Sequence, residues 1–219
     1  MTIRLYWDDP YLKTAFARVV AVEGRAIVLD ATVFHARGGG QPGDTGTLGA
    51  DVVIDTYNGP DGRVLHLADG VPSTRAGQRV SSTIDWDRRY GLMRHHTLLH
   101  LLHLVLNDAV GPVEPLGSAV AADKARIEYP LHRTVDLDAI SAGICELVAD
   151  DLAATAEFGG DGVRRWSIPG QQPIPCGGTH VARLGELGHI SLRAKSAGRR
   201  GLRLYATCEL RPGGQGTAT

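Results

Sequence analysis

Residues 94–103 of the chain read RHHTLLHLLH and contain four of its nine histidines in an otherwise apolar run. Apolar residues and histidines recur at steps of three and four over residues 90–108, which predicts an amphipathic helix there. Residues four apart on a helix project from one face. The side chains of His96 and His100 can therefore bind the same metal ion.

Two ligands do not hold a zinc ion, so the remaining ligands must come from elsewhere in the chain. Residues 176–180 read CGGTH, and their glycines allow Cys176 and His180 to wrap around one ion. Thiolate and neutral imidazole suit Zn²⁺ better than Mg²⁺ or Ca²⁺, which prefer oxygen ligands. The other helical histidines, His95 and His103, are assigned to hydrogen-bonded core positions, with support of a neighbouring ligand as a second role for His103.

Composition and charge describe a chain long enough to bury a sizeable core. It has 219 residues, a formal net charge of −1 and three scattered cysteines. The weak charge argues against bulk electrostatic binding of nucleic acid but allows a local basic patch. No apolar run approaches the roughly 20 residues that cross a bilayer, the N-terminus begins no signal peptide, and the cysteines do not suggest a disulfide framework. We therefore expect a cytoplasmic protein.

Residues 1–88 are predicted to be β-rich. Short strand-like runs separated by Gly, Pro and Asp are typical of a small barrel or closed sheet. The first two runs form a predicted hairpin around Glu23 and Gly24. The predicted strands cover residues 14–22, 25–29, 52–57, 63–67 and 79–84.

Residues 89–212 are predicted to mix helices and strands around the metal ligands. A second helix is expected from about Leu137 to Ala156, where apolar residues recur with helical spacing. Strands are predicted at residues 118–120, 125–129, 163–168, 189–194 and 202–210. Residues 213–219 are rich in Gly and Thr and are expected to form a frayed tail.

A glycine-rich loop, GGGQPGD, occupies residues 38–44. Its pattern alone is explained by a turn that requires positive φ. It lacks the Gly-Lys-Ser/Thr ending of a phosphate-binding Walker loop. The alternative interpretation is that bare backbone here lets a ligand approach closely, with Gln41 and Asp44 beside it.

Four sequence blocks resemble one family. They are LDATVF at residues 29–34, GGGQPGDTG at 38–46, the helix with His96 and His100, and CGGTHV at 176–181. Together and in this order, the blocks resemble the free-standing alanyl-tRNA editing proteins of the AlaX type, which are related to the editing domain of alanyl-tRNA synthetase.

The resemblance implies a fold and an activity. The expected fold is α+β, with an N-terminal small β-barrel followed by a two-layer α/β metal-binding domain of the threonyl/alanyl-tRNA synthetase editing type. The expected activity is trans-editing: zinc-dependent hydrolysis of the aminoacyl ester of mischarged Ser-tRNA(Ala) or Gly-tRNA(Ala), without ATP. The chain would then be an aminoacyl-tRNA deacylase, a carboxylic ester hydrolase whose partner is the acceptor end of tRNA(Ala).

The resemblance also suggests site residues beyond the four metal ligands His96, His100, Cys176 and His180. Thr32 matches a threonine implicated in contacting the serine hydroxyl, although a β-branched residue at a strand end is equally expected there. Gln41 and Asp44 complete the catalytic candidates. Basic residues that bracket both ligand segments are the candidates for tRNA binding: Arg88, Arg94, Arg193, Lys195, Arg199 and Arg200.

Other interpretations stay open at this point. A threonyl-type editing domain shares the ligand spacing but typically has Pro before the last histidine, where this chain has Thr179. A non-catalytic zinc-stabilised RNA-binding module predicts tRNA binding without turnover. No general base stands out, since Thr97 occupies the position of the glutamate in His-Glu-x-x-His proteases. Whether zinc activates water, polarises the carbonyl or anchors the substrate amino group, and the oligomeric state, are not determined by the sequence.

Overall fold

The computed structural model describes residues 1–209. The predicted tail at residues 213–219 and the last residue of the predicted strand 202–210 lie outside this range. The described chain forms two compact units. The first comprises Met1–Leu92 and Gly177–Thr179, and the second comprises Met93–Cys176 and the residues from His180 onward. The division therefore falls inside the first long helix, a few residues after the boundary expected at residue 88.

The first unit is built around a closed barrel of six antiparallel strands in the order β2-β3-β7-β6-β5-β8. A short parallel pair, β1 with β4, lies outside the barrel sheet. The predicted small barrel is confirmed. The strands are β1 Ile3–Arg4, β2 Thr14–Glu23, β3 Ala26–Leu29, β4 Ala31–Thr32, β5 Gly46–Leu48, β6 Asp51–Asn58, β7 Val64–Ala68 and β8 Arg79–Ile84.

Alternating side chains fill the barrel interior. Val19, Ile27 and Leu48 are buried in one hydrophobic cluster, whereas Phe16 and Val20 on the opposite face of β2 are exposed. Period-two alternation of this kind is what a half-buried strand requires. The predicted hairpin is present as β2 and β3, with the connecting Gly24 at a φ of 61° that favours glycine.

The second unit contains two antiparallel sheets and most of the helical structure. One sheet has the order β14-β15-β10-β9 and the other β11-β12-β13. The strands are β9 Gly117–Val120, β10 Ala125–Tyr129, β11 Thr155–Phe158, β12 Arg164–Ser167, β13 Ile174–Pro175, β14 His189–Ser196 and β15 Leu202–Glu209. The α-helices are α1 Trp86–Val110, whose first turns belong to the first unit, and α2 Leu137–Ala149. Across residues 1–209, short 3₁₀ helices cover Leu5–Trp7 and Pro60–Gly62 in the first unit and Leu184–Leu187 and Gly198–Arg200 in the second.

The end of α2 differs from the prediction. Asp136 caps its start by accepting from the Ala139 amide at 3.0 Å, but the helix stops at Ala149 rather than near Ala156. Asp151 adopts a φ of 46°, which no helix can continue through, and its carboxylate accepts from the Gly185 amide at 2.8 Å. The residues that follow form β11, paired with β12. Within residues 1–209, no helix has both the length and the apolarity needed to cross a membrane.

Candidate metal centre and surrounding residues

Four side chains of the second unit converge at one point: His96 and His100 from α1, Cys176 directly after β13, and His180. One potential ligand atom from each lies within 4.8 Å of those of the other three. Cys176 Sγ is 3.6 Å from Nε2 of His96 and 3.2 Å from Nε2 of His180. Three imidazoles and one thiol in such a cluster can hold a metal ion.

Local structure explains how each pair is presented. His96 and His100 stand one turn apart, with ring centroids separated by 5.0 Å. Cys176 is tied to β12, because its amide donates to the Arg164 carbonyl at 2.9 Å and the Arg164 guanidinium donates back to the Cys176 carbonyl at 3.3 Å. The indole of Trp166 packs against the His100 ring at a centroid distance of 4.9 Å. This buried indole forms an apolar wall beside the cluster.

The burial of the three histidines and the protonation state of His100 suit a metal site. The imidazoles are 3%, 9% and 5% exposed in His96, His100 and His180. Burial lowers the pKa of His100 well below its usual value, and the neighbouring His96 and His103 lower it further, so this ring is neutral at physiological pH. In the described structure, Nδ1 of His100 is buried and has no hydrogen-bond partner in the protein. A set of imidazole and thiol side chains fits Zn²⁺ better than an ion that prefers oxygen ligands.

Thr97, whose sequence position gives no sign of a role at the site, orients the His180 ring. Its hydroxyl lies 2.9 Å from the Met93 carbonyl, 3.2 Å from Nδ1 of His180 and 3.2 Å from the Val181 amide. A carbonyl only accepts, so the hydroxyl proton goes to Met93 and Nδ1 of His180 must donate. Nε2 of His180, which faces Cys176 Sγ, is then left with its lone pair for a metal. Thr97 thus selects the ligating tautomer.

Replacing Thr97 by valine is expected to weaken zinc binding about 10- to 100-fold, because the isosteric side chain no longer orients His180. The dissociation constant can be measured by competition with a chromogenic chelator. Thr97→Ser keeps the hydroxyl and serves as the matched control. Equal zinc affinity in the valine and serine variants would show that Thr97 does not orient the ligand.

The two other histidines of the helix do not belong to the cluster. Nε2 of His95 accepts from the Cys208 amide at 3.3 Å. His103 is held by the Tyr129 hydroxyl at 2.9 Å through Nδ1 and by Asn107 at 3.2 Å through Nε2. Both ring nitrogens of His103 are thus engaged by residues other than the four ligand candidates, and the residue is partly buried. Its second role, support of a ligand, stays a prediction.

The glycine-rich loop of the first unit makes a tight turn. Gly38 and Gln41 exchange two backbone hydrogen bonds of 3.0 Å, and Gly39 and Gly40 adopt positive φ values of 58° and 85°. The turn explanation therefore accounts for these glycines. A Cβ on Gly43 would lie 2.0 Å from the Thr56 carbonyl oxygen, so this position also requires glycine.

The Gln41 side chain is hydrogen-bonded to Thr179 in the loop segment Gly177–Thr179. Its amide nitrogen donates to Thr179 Oγ1 at 2.8 Å, and its amide oxygen accepts from the Thr179 backbone at 3.1 Å. The Trp7 indole donates to the Gly177 carbonyl at 3.2 Å. Thr179 directly precedes His180 in the chain, so Gln41 restrains the backbone that leads into a metal-ligand candidate.

Asp44 is part of a buried ion pair. The side chains of Asp44 and Arg89 are 1% and 0% exposed, and the Arg89 guanidinium donates to both carboxylate oxygens. The carboxylate also accepts from the His35 amide at 2.6 Å. Arg89 donates further to the carbonyls of Pro10 and Val33. These contacts favour a framework role for Asp44 in the first unit, and the catalytic role expected from sequence stays a prediction.

Thr32 is fully buried and hydrogen-bonded to another histidine. Its hydroxyl is 2.7 Å from Nε2 of His66 and accepts from the Phe34 amide at 3.1 Å. Nδ1 of His66 lies 2.9 Å from the Ile27 carbonyl and must donate to it, so Nε2 accepts the Thr32 proton. Burial lowers the pKa of His66 to about 4, which keeps this ring neutral. Any hydroxyl that forms a further hydrogen bond with Thr32 Oγ1 must therefore donate its proton to that oxygen.

The basic residues expected to contact tRNA fall into two groups. Arg94 is 7% exposed and donates to the carbonyls of Glu186 and Leu187 at 2.9 and 2.6 Å. These contacts favour a structural role for Arg94, because its guanidinium binds carbonyl groups inside the protein, and the tRNA contact expected from sequence stays a prediction. Arg88 is partly buried and donates to the Gly43 carbonyl at 2.8 Å. The others are exposed: Arg193, Lys195, Arg199 and Arg200.

The closed barrel, the open sheets and the two α-helices make this an α+β protein. Its His/Cys cluster can hold a metal ion. Comparison with curated proteins specifies the class further. Alanyl-tRNA editing protein AlaX-M of Pyrococcus horikoshii is 40% identical over 205 residues, which cover 91% of this chain and 94% of that protein. The alanine–tRNA ligases of Aeropyrum pernix and Pyrococcus abyssi are 29% and 32% identical over 87% of this chain, which spans only 24% of each ligase. No protein-family model matches the chain.

The chain belongs to the family of alanyl-tRNA editing proteins. Its match to that family runs through both compact units, since 91% of the residues are covered.

Proposed function

We propose that this protein is a trans-editing deacylase that hydrolyses the aminoacyl ester of mischarged Ser-tRNA(Ala), with Gly-tRNA(Ala) as a second substrate. The observation that carries the proposal is the cluster of His96, His100, Cys176 and His180 in a chain related to AlaX-M. Zinc is the proposed metal, held by these four side chains. The acceptor end of tRNA(Ala) is the proposed partner, and residues 89–212 form the proposed editing domain.

The reaction needs little from the protein beyond orientation and charge stabilisation. Water adds to the ester carbonyl, the bond between the carbonyl carbon and the ribose oxygen breaks, and the ribose oxygen takes up a proton as the free amino acid leaves. A bound zinc ion supplies a Lewis acid for the carbonyl, for the water, or for the substrate amino group. His96, His100, Cys176 and His180 would hold this charge in place. The buried Trp166 indole packs against the His100 ring and keeps that ring from solvent.

The proposal is tested by deacylation time courses on Ser-tRNA(Ala), Gly-tRNA(Ala) and Ala-tRNA(Ala). We expect rapid loss of serine and sparing of alanine. Failure of folded, zinc-loaded protein to release any amino acid would contradict the proposal and favour a non-catalytic zinc-stabilised RNA-binding module.

Selectivity for serine over alanine is proposed to depend on Thr32, whose hydroxyl proton is already given to His66. The remaining lone pair of Thr32 can accept from the hydroxyl of serine, which alanine lacks. Thr32→Val is therefore expected to lower the preference for serine over alanine, measured as the ratio of kcat/KM, by about tenfold or more while zinc content is unchanged.

Thr32→Ser retains the hydroxyl and is the control for this prediction. A purely structural Thr32 would give a different result. The valine variant would then lose about 1–3 kcal/mol of unfolding free energy, because His66 and Phe34 lose a buried partner, yet keep the wild-type selectivity.

The contact between Gln41 and Thr179 favours the alanine-type activity over the threonyl type. The Thr179 amide donates to Gln41, and a proline at this position has no amide proton to donate. Gln41 and Thr179 therefore act as a matched pair. Assays with Ser-tRNA(Thr) distinguish the two types directly, since a threonyl-type enzyme would deacylate this substrate at least as fast as Ser-tRNA(Ala).

A further inference from the structure

One face of the sheet β14-β15-β10-β9 gathers basic side chains from three strands. The register places Arg193 opposite Tyr205, which in turn lies opposite Arg126. The next row places Lys195 opposite Arg203, which lies opposite Glu128. Because alternate residues of a strand share a face, both rows lie on the same side of the sheet. The reverse side carries buried apolar residues such as Leu204 and Ala206.

We call this surface the basic sheet face and define it by Arg126, Arg193, Lys195, Arg200, Arg203, Tyr205 and Glu128. Glu128 is its one carboxylate and is 5% exposed. It pairs with Arg203 at 2.9 Å and with Arg126 and Arg200 at 3.6 Å each. One buried negative charge therefore holds three guanidinium groups close together, and the face stays strongly positive.

The centre of the face is a tyrosine surrounded by cations. The Arg193 guanidinium stands 5.1 Å from the centroid of the Tyr205 ring. A hydrogen bond with Arg203 lowers the pKa of Tyr205, and the charges of Arg203, Lys195 and Arg126 lower it further. Five basic residues are thus concentrated on the basic sheet face, although the formal net charge of the protein is only −1.

We propose that the basic sheet face binds the sugar–phosphate backbone of tRNA. The inference rests on the proposed function for the identity of the RNA. Guanidinium groups bind phosphate oxygens with two parallel hydrogen bonds, and their partial pairing to Glu128 pre-orients three of them. Arg193 and Lys195 have no carboxylate partner among the ion pairs of the described residues, so they are available for phosphates.

The test compares two double variants that remove the same charge. Arg193→Gln/Lys195→Gln neutralises the basic sheet face, and Arg18→Gln/Arg79→Gln neutralises an exposed cross-strand pair on the barrel. Binding of uncharged tRNA(Ala) is measured by fluorescence anisotropy at several salt concentrations. The first variant is expected to bind about tenfold or more weakly and to lower the slope of log K against log[salt] by about 1.4 to 1.8, while the second stays near wild type.

Deacylation separates this inference from the proposed function. If the face binds RNA, its variant raises KM for Ser-tRNA(Ala) but leaves hydrolysis of a small seryl-adenosine ester unchanged. Wild-type affinity and salt slope in the Arg193→Gln/Lys195→Gln variant would overturn the inference even if deacylation is normal. Weaker tRNA binding by that variant alone would support the inference even if the wild-type protein hydrolyses no ester.

Discussion

Replacement of Cys176 by alanine is expected to abolish both stoichiometric zinc binding and deacylation of Ser-tRNA(Ala). The change removes the only thiolate from the cluster of His96, His100 and His180. Loss of a residue that merely orients a ligand costs about 10- to 100-fold in metal affinity, so loss of a ligand should cost at least about 100-fold. Zinc content by atomic absorption and single-turnover deacylation measure the two effects.

Cys145 provides the matched control, since it is an exposed cysteine on α2. Cys145→Ala should keep full zinc content and activity. The barrel core does not depend on the metal ligands, so Cys176→Ala should still unfold cooperatively. Full zinc content and activity in folded Cys176→Ala would refute the assignment of the cluster.

Replacement of Asp44 by asparagine is expected to lower the free energy of unfolding by about 3–5 kcal/mol. The substitution leaves Arg89, whose side chain is 0% exposed, as an uncompensated buried charge. Equilibrium denaturation in urea measures the loss. Glu23→Gln is the control, because it breaks a surface pair with Arg63 and should cost at most about 1 kcal/mol.

The same variant decides between two roles for Asp44. A framework residue loses stability, and its remaining folded fraction keeps a normal chemical rate. A catalytic carboxylate would instead lose activity at wild-type stability, and that outcome would contradict the structural assignment made from the contacts of Asp44 with Arg89 and His35.

Much of the fold could be predicted because its signals are local. Barrel strands β2, β6 and β8 alternate between more buried and more exposed residues, and α1 carries apolar residues at helical spacing. The end of α2 was missed for the opposite reason. The positive φ of Asp151 and the pairing of β11 with β12 depend on residues far along the chain, including Arg183 and Gly185.

The metal-ligand candidates could be predicted from their residue types and spacing, but the residues that orient them could not. Two ligand pairs with metal-binding spacing identify His96, His100, Cys176 and His180 as candidates. The function of Thr97 is set by His180, which lies 83 positions later and reaches it only in the folded chain. The pattern equally could not show that Arg94 faces carbonyl groups inside the protein. A sequence shows which residues are charged, but it does not show which groups surround them in the fold.

The barrel and the four-stranded sheet differ in how they end. A closed barrel has no unpaired strand, but among residues 1–209 β14 and β9 are the outer strands of an open sheet. Such edges can pair with the same edge of another molecule, and charged side chains on the outer strand oppose this association. Arg193 and Lys195 lie on β14, so repulsion between these charges on two copies is expected to oppose pairing of their β14 edges. Neutralising both residues should lower the highest protein concentration at which the sample stays monodisperse.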